Sequence, residues 1–310
     1  MTAAVRVRQP GLLTTIQDLG RPQAVGAGVT PGGAMDRFAH AAANLLVGND
    51  RGAATLECTL TGPRLVALRQ CLVAVTGADF DPRVNGEAVP TWTGIDLREG
   101  DEIGFAGRRT GARAYIAVAG GVVGDRWLGS MSTNLLAARG GMNGRALATD
   151  DVVSAAIQEY PDVAGRSLAG DQRPPYHEHL LHAVVGPHAN RLTPASRHDL
   201  FSAKFTLTHD SNRMGYRFEG ASLEAPGDEL LSFALIPGAV QLPAGGRPIL
   251  LMADHQTAGG YPVVAVVISA SMPVAAQLAP GDEVRFEEVS IAKALELRAV
   301  QRAALLSLMS

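Results

Sequence analysis

Three short stretches of this 310-residue chain concentrate side chains that can do chemistry. The first holds Gln17, Asp18 and Arg21 in a glycine-containing segment that runs to Asp36. Arg21 offers a planar fork for a carboxylate or phosphate. Asp18 can hold that arginine or act as a base. The same residues also read as a bracing Asp–Arg pair, with Asp36 as a plain helix N-cap. The second stretch is Asn212-Arg213-Met214-Gly215-Tyr216-Arg217. The third, Asp254 to Pro262, follows an aliphatic run and contains the pair Gly259-Gly260. It gathers a carboxylate (Asp254), an amide (Gln256), a hydroxyl (Thr257) and a phenol (Tyr261) beside exposed backbone N–H groups. That set suits a small amide or carboxylate ligand. A polar bulge turn is the alternative, but such a turn needs neither the glutamine nor the threonine.

Other constellations say less. His177-Glu178-His179, with His182 nearby, invites a metal reading, since the two histidines would share one face of a strand. A third ligand at defined spacing is missing, and the stretch follows Pro174-Pro175, so a solvated linker or partner surface is the better reading and no metal is assigned. The sequence carries no GxxxxGK[ST] loop, no strand-associated GxGxxG and no GxSxG elbow. Its two lysines, Lys204 and Lys293, have no methionine beside them, so neither looks like a biotin carrier.

The elements that must position these residues are mostly strands. The chain has 35 Gly, 18 Pro and only 5% aromatic residues, a composition of short strands and tight turns. Strands are expected at Ala4–Arg8, Leu12–Ile16, Thr55–Leu60, Arg64–Leu68, Leu72–Thr76, Glu102–Phe105 and Arg113–Ala119. A long loop is expected from Asp18 to Gly33, and Asn85-Gly86 signals a hairpin. In the second half, strands are expected at His182–Val185, Lys204–Thr208, Arg217–Glu219, Leu230–Ile236, Ile249–Asp254, Val263–Ser269 and Glu283–Glu287. One helix is clear: Asp36 can cap it, Phe38, Ala41, Ala42 and Leu45 form its apolar face, and Gly48 ends it. Further helices are expected over Ser132–Ala138, over Pro194–Phe201 and after Ser290. A polar, proline-rich linker is expected over Ala164–Pro175. It divides the chain into lobes of residues 1–170 and 176–310. GDEIGF at Gly100–Phe105 is echoed by GDEVRF at Gly281–Phe286, a weak hint of related halves.

Charge and hydropathy exclude several classes. The net charge of −3 argues against a general nucleic-acid binder. The longest aliphatic run, Val263–Ile268, is far too short to span a membrane, and the N-terminus has no apolar signal core. Cys58 and Cys71 match no zinc spacing and read as reduced, buried thiols, so a cytoplasmic location is expected.

An ordered series of motifs goes further. GLLTTIQDLGRP (Gly11–Pro22), GAMDRFA (Gly33–Ala39), ANLLVGN (Ala43–Asn49), LECTLTGP (Leu56–Pro63), VTGAD (Val75–Asp79), RAYIAVAGG (Arg113–Gly121), LGSMST (Leu128–Thr133), VVGPH (Val184–His188), NRMGYR (Asn212–Arg217) and ADHQTAGGYP (Ala253–Pro262) follow one another. Together they resemble the biotin-dependent carboxyltransferase family, which includes the allophanate hydrolase subunit 2 type and the C subunit of 5-oxoprolinase. The resemblance covers about residues 5 to 290 and is nearest the 5-oxoprolinase type. Four positions depart from the family pattern. Gly32 stands where Ser is expected, Met131 and His255 where Arg is expected, and Thr149 where Gly is expected. The two missing arginines weaken an anion contact, which bears on the substrate rather than the fold.

The resemblance implies a mainly β fold with a few helices, in two cyclophilin-like β-barrel lobes. It implies a hetero-oligomer with a subunit-1-type protein (the B subunit of 5-oxoprolinase) and a lactam-hydrolysing subunit. ATP then enters at the level of the complex. Biotin enters only if the chain instead moves carboxylate from carboxybiotin to a urea- or amide-like acceptor. A third alternative is a non-catalytic regulatory subunit. Residue chemistry nominates Asp18, Arg21, Arg213 and Asp254 as catalytic, and Gln17, Tyr216, Gln256, Thr257 and Tyr261 as substrate-binding.

Overall fold

A computed structural model describes residues 1–156, 163, 165–228 and 230–309. The chain forms two compact units. One comprises residues 1–21, 32–173 and 302–310, the other residues 22–31 and 174–301. Strands dominate both, as the glycine and β-branched content requires. Among the described residues four α-helices accompany them: α1 (Arg37–Leu46), α2 (Pro194–Ser202), α3 (Met272–Ala276) and α4 (Ile291–Leu306).

In the first unit two sheets share one core. The larger runs in the order Val122–Val123, Val152–Ala155, Thr2–Gln9, Arg64–Ala67, Glu102–Phe105, Pro82–Val84, Glu87–Ala88. The smaller runs Leu13–Gln17, Thr55–Thr59, Thr110–Val118, Cys71–Asp79, Gly94–Leu97. Ile16, Leu56, Cys58, Val73, Val75, Ala114 and Ile116 of the smaller sheet meet Val5, Val7, Leu65, Ala67, Ile103 and Val153 of the larger in one apolar cluster. Alternation along a strand sends the neighbouring residues to the opposite face. There Thr15, Glu57, Tyr115 and Thr76 pair in register, forming a polar row across four strands. Helix α1 covers this row, and Thr76 Oγ1 donates to the Ala39 carbonyl at 2.7 Å. Cys58 and Cys71 are free and buried, and burial pushes their thiols up to about 12 and about 11.

The second unit is a closed barrel in the order Leu180–Val185, Val263–Val267, Ala239–Gln241, Ile249–Leu251, Gly215–Gly220, Phe205–Leu207, Glu283–Glu288. The last strand closes on the first in parallel. Phe286 fills the interior, with Phe205 and Phe218 rings at 5.7 and 5.8 Å. A separate two-stranded sheet joins Phe233–Ala234 to Ala258–Gly259.

Local rules account for most elements. Asp36 caps α1 by accepting from Ala39 N at 2.9 Å, and Gly48 beyond its end has φ +74°. Asn85 and Gly86 both have positive φ (52° and 89°), as a type I′ hairpin needs. The GDE echo is one turn built twice. In each copy the aspartate carboxylate accepts from a backbone N–H three residues back: Arg98 N to Asp101 at 2.7 Å, and Ala279 N to Asp282 at 2.8 Å. The glycines before them have φ +91° and +92°.

Some expectations are corrected. Ser132–Ala138 is no helix: Ala138 takes φ +51° and Asn134 bridges to Arg139, closing a tight turn. The strand expected at Leu230–Ile236 shrinks to Phe233–Ala234. The Asp18–Gly33 loop contains a 3-10 turn, Pro22–Ala27. Of the expected linker, Ala164 lies outside the described residues. Further along, Leu168 is buried and Arg173 lies 5.1 Å over the Trp92 ring, so this segment packs on the first unit. The strand Ala239–Gln241 and α3 gave no sequence signal, because each is short and mostly apolar.

Gly120 tests the packing of the first unit. It holds φ +91°, and a Cβ there would strike the Ala156 carbonyl. Gly120→Ala should cost more than about 1 kcal/mol and lower Tm by at least about 2 °C. Gly170→Ala, with open space around it, should leave Tm unchanged. Equal melting curves for the two variants would refute this account of the Gly120 contact.

Candidate functional site

In the first unit, the residues singled out by sequence converge on the turn Trp127–Thr133. Asp18 Oδ1 accepts from Gly20 N (2.8 Å), Ser130 Oγ (2.6 Å) and Ser132 Oγ (2.6 Å), and Oδ2 accepts from Met131 N (2.6 Å). Burial pushes this carboxyl up, but the hydrogen bonds from Ser130, Ser132, Gly20 and Met131 outweigh it and hold the group below its usual range. Arg21 is fully buried. Its guanidinium lies 4.8 Å over the Trp127 ring and donates to the carbonyls of Trp127 and Ser132. Gln17 is buried at the end of its strand and donates to Thr15 Oγ1 (3.0 Å) and the Thr133 carbonyl (3.2 Å). All three side chains therefore shape one turn. Asp36 serves as the helix cap.

Three residues that sequence reasoning missed complete this region. Tyr115 Oη donates to Glu57 Oε2 at 2.7 Å and accepts from Asp36 N at 2.8 Å, while Met35 N donates to Glu57 Oε2 at 2.9 Å. Burial drives the Tyr115 phenol well up, and the Glu57 and Asp36 carboxylates add to that. His40 on α1 is fully buried, with Nδ1 2.9 Å from Thr55 Oγ1. Burial lowers its pKa to about 4, against opposing pulls from Asp18 and Glu57. The available signal was the alternation of polar and apolar residues in Thr55–Thr59 and Arg113–Val118. It marks a polar face but not the helix that covers it.

In the second unit the structure brings the two remaining stretches together. Arg213 Nε meets Asp254 Oδ2 at 2.8 Å and Nη2 meets Oδ1 at 3.3 Å, with both side chains largely buried. The backbones join too: Asp254 N donates to the Arg213 carbonyl (2.8 Å) and Met252 N to that of Met214 (3.0 Å). Gln256 Nε2 donates to Gln241 Oε1 at 3.1 Å. His255 is buried, with Nδ1 2.7 Å from the Gln256 carbonyl. Thr257 is partly exposed and Tyr261 is half-exposed. Tyr216 is 2% exposed on an inward-facing position of the barrel wall, beside Phe218 in the same alternation, so its phenol is not at the surface. His177 and Glu178 are exposed, and among the described residues no group of three or more His, Cys, Asp or Glu could hold a metal ion. No helix among the described residues is long and apolar enough to cross a membrane.

Such an arrangement can hold a small polar ligand. Paired amides and a bidentate ion pair lie in the same unit as the apolar cluster of Leu235, Ala239, Leu251 and Val263. The family described as carboxyltransferase domain, subdomain A and B, matches residues 27–288. The chain belongs to this family. This carboxyltransferase-domain chain is 36% identical over 304 residues to the C subunit of 5-oxoprolinase from Escherichia coli (strain K12), covering 96% of this chain and 95% of that protein. It is 35% identical to the corresponding 5-oxoprolinase C subunit of Haemophilus influenzae, covering 92% and 91%. The crystal structure of the K. lactis urea amidolyase superposes with a TM-score of 0.92 at 28% identity. It covers 99% of this chain, which spans only 20% of that larger protein.

The carboxyltransferase domain should show the burial of His40 in its pH dependence. The folded-state pKa of about 4 lies below the ordinary value of 6.5, so the unfolded state binds more protons between these values. Stability is therefore lost as pH falls from about 6.5 to 4, by up to roughly 3 kcal/mol. In His40→Gln, Tm should fall less steeply than wild type over that window. Parallel curves would refute the assignment.

Proposed function

We propose that this chain is the C subunit of an ATP-dependent 5-oxoprolinase complex, which opens the lactam of 5-oxoproline to glutamate. The observation that carries this reading is end-to-end similarity. Two 5-oxoprolinase C subunits match along 95% and 91% of their length, whereas the urea amidolyase is matched along a fifth of its chain. The partners on this reading are a subunit-1-type protein (the B subunit of 5-oxoprolinase) and a lactam-hydrolysing subunit, in a cytoplasmic hetero-oligomer. Its functional modules are the two compact units, one of residues 1–21, 32–173 and 302–310, the other of residues 22–31 and 174–301.

A lactam carbonyl is a poor electrophile because attack must break amide resonance. ATP can relieve this by phosphorylating the lactam oxygen. Water then adds at the carbon that bears this oxygen. The C–N bond of the adduct breaks with its electron pair on the ring nitrogen, which takes up a proton, and a second water hydrolyses the remaining acyl phosphate to the carboxylate and phosphate. This chain has no phosphate-loop motif, so ATP binding is assigned to the complex. The chain's own residues hold the lactam. Gln256, Thr257 and Tyr261 contact its amide, with Tyr216 of the same unit as a further candidate. Arg213 bears on substrate or phosphoryl charge, while Arg21 holds carbonyls of the Trp127–Thr133 turn. The four hydrogen bonds on the Asp18 carboxylate favour an orienting role for it and leave Asp254 as the candidate base.

A second reading is favoured by the TM-score of 0.92 to urea amidolyase and by the family description itself. In it the chain moves carboxylate from carboxybiotin to a urea- or amide-like acceptor. In a third, it regulates a partner without touching substrate. Purifying the tagged chain from its host separates the three. Biotin-free partners that cleave 5-oxoproline with ATP support the first reading, and a co-purifying biotinylated protein supports the second. Partners equally active without the chain support the third.

Within the complex, Arg213→Ala and Asp254→Ala should each abolish turnover while assembly persists. Each single change strands a buried charge, so the double variant is the control for folding. It should assemble normally and remain inactive. Wild-type rates in any of the three would sink the assignment.

A further inference from the structure

We propose that Gln241 is a substrate-contact residue, donating from its amide nitrogen to the carbonyl oxygen of a small amide or lactam admitted over Gly259. The inference rests on the reading of Gln256 and Thr257 as substrate-binding and adds a residue that no motif marked.

Gln241 ends the strand Ala239–Gln241 and is 1% exposed. Its Oε1 accepts from Gln256 Nε2 at 3.1 Å, which turns its own NH2 the other way. That Nε2 is buried and has no acceptor among the described residues. A buried donor left unpaired carries its full desolvation cost, so its retention needs a reason. The reason is found at Gly259. A Cβ built there would lie 3.2 Å from Gln241 Nε2, 3.5 Å from Gln256 Nε2 and 3.0 Å from Leu235 Cδ1. Both amide nitrogens therefore flank the bare face of Gly259, and any side chain at that position would crowd them. Gly259 has no positive φ that would require glycine for the backbone. Its missing side chain instead leaves the two amide nitrogens uncrowded, at the point where a ligand oxygen would meet the Gln241 donor.

The surroundings define the ligand class. Leu235, Val263, Ala239 and Leu251 form one apolar cluster, with Phe233 packed against it. Leu235 stands over Gly259, and Gln256 and Thr257 lie on the same loop. Neutral amide donors beside aliphatic carbon fit an amide group set in methylene carbon, a description that a lactam ring meets. A site that donates to a ligand oxygen penalises analogues without it, because the donor is then buried unpaired.

The test uses steady-state kinetics of the assembled complex with 5-oxoproline and ATP. Gln241→Glu keeps the acceptor for Gln256 but replaces the donor with a carboxylate oxygen. Gly259→Ala keeps both glutamines in the chain and sets a methyl group against their amide nitrogens. Each should raise KM for 5-oxoproline at least 10-fold with a smaller change in kcat, and the KM for ATP should hold. A purely structural role for Gln241 would lower Tm without that selective rise. Wild-type KM in both variants overturns the proposal. If the wild-type complex does not turn over 5-oxoproline, the proposed function fails. The Gln241 contact is then judged on the full chain, by following the Gln241 side-chain amide signal in NMR during titration with 2-pyrrolidinone and urea. A shift of that signal, absent in Gly259→Ala, upholds the contact, and no shift overturns it.

Discussion

The Glu57 carboxylate organises the first unit. It is buried between a β-sheet and α1, and it accepts from Tyr115 Oη and Met35 N through one oxygen. Tyr115 passes the interaction on by accepting from Asp36 N, and Asp36 caps the helix. A single buried anion thus fixes the loop before α1, the start of α1 and the row of polar residues beneath it. Such a charge is tolerable in the interior only because it is hydrogen-bonded. The helix must sit on this face because its apolar stripe needs burial, and the polar row must be satisfied because the helix excludes water from it.

The Trp127–Thr133 turn follows the same economy of charge. Asp18 gathers donors from Gly20, Ser130, Met131 and Ser132, and Arg21 holds carbonyls of the same turn while stacking on Trp127. One anion collects the N–H and O–H groups and one cation collects the C=O groups of a segment with little secondary structure of its own. Gly140 and Gly141 let the chain close behind it: a Cβ on either would strike Ser132 or Thr133. Met131, where the family pattern suggests arginine, meets Asp18 through its backbone N–H. That contact survives a change of side chain.

Local chemistry was legible in the sequence wherever it acts over a few residues. Asp36 as a cap, Gly48 as a terminator, Asn85-Gly86 as a hairpin and Ser290 ahead of the last helix are decisions of a single turn, and the structure keeps them. Ser132–Ala138 misled because its apolar spacing suits a helix, while Asp18 and Arg21, more than 100 residues away in sequence, hold its first residues in a turn. Glu57, Tyr115 and His40 were invisible for a related reason. Alternation separates two faces of a strand, but only tertiary packing decides whether the polar face meets water or a helix. Of the second-unit site, Arg213 and Asp254 lay in recognisable motifs. Gln241 sits alone among apolar residues, with no spacing to mark it.

The two units handle buried polarity differently, and the difference bears on ligand choice. In the first, the carboxylates of Asp18 and Glu57 take donors from the chain itself, so their charge goes into positioning. In the second, Arg213 and Asp254 neutralise each other through a bidentate pair, and the neighbouring glutamines present neutral groups. A carboxylate or phosphoryl group reaching Arg213 has to share it with an aspartate already in place at 2.8 Å. The amide group of the same ligand faces no such contest. It needs one donor for its oxygen and an apolar wall for its carbons, and the segment around Gly259 brings both to the same spot. The histidine at position 255, where the family pattern suggests arginine, shifts the balance the same way: it removes a permanent cation from the loop and leaves recognition to hydrogen bonds that are strong where water is excluded.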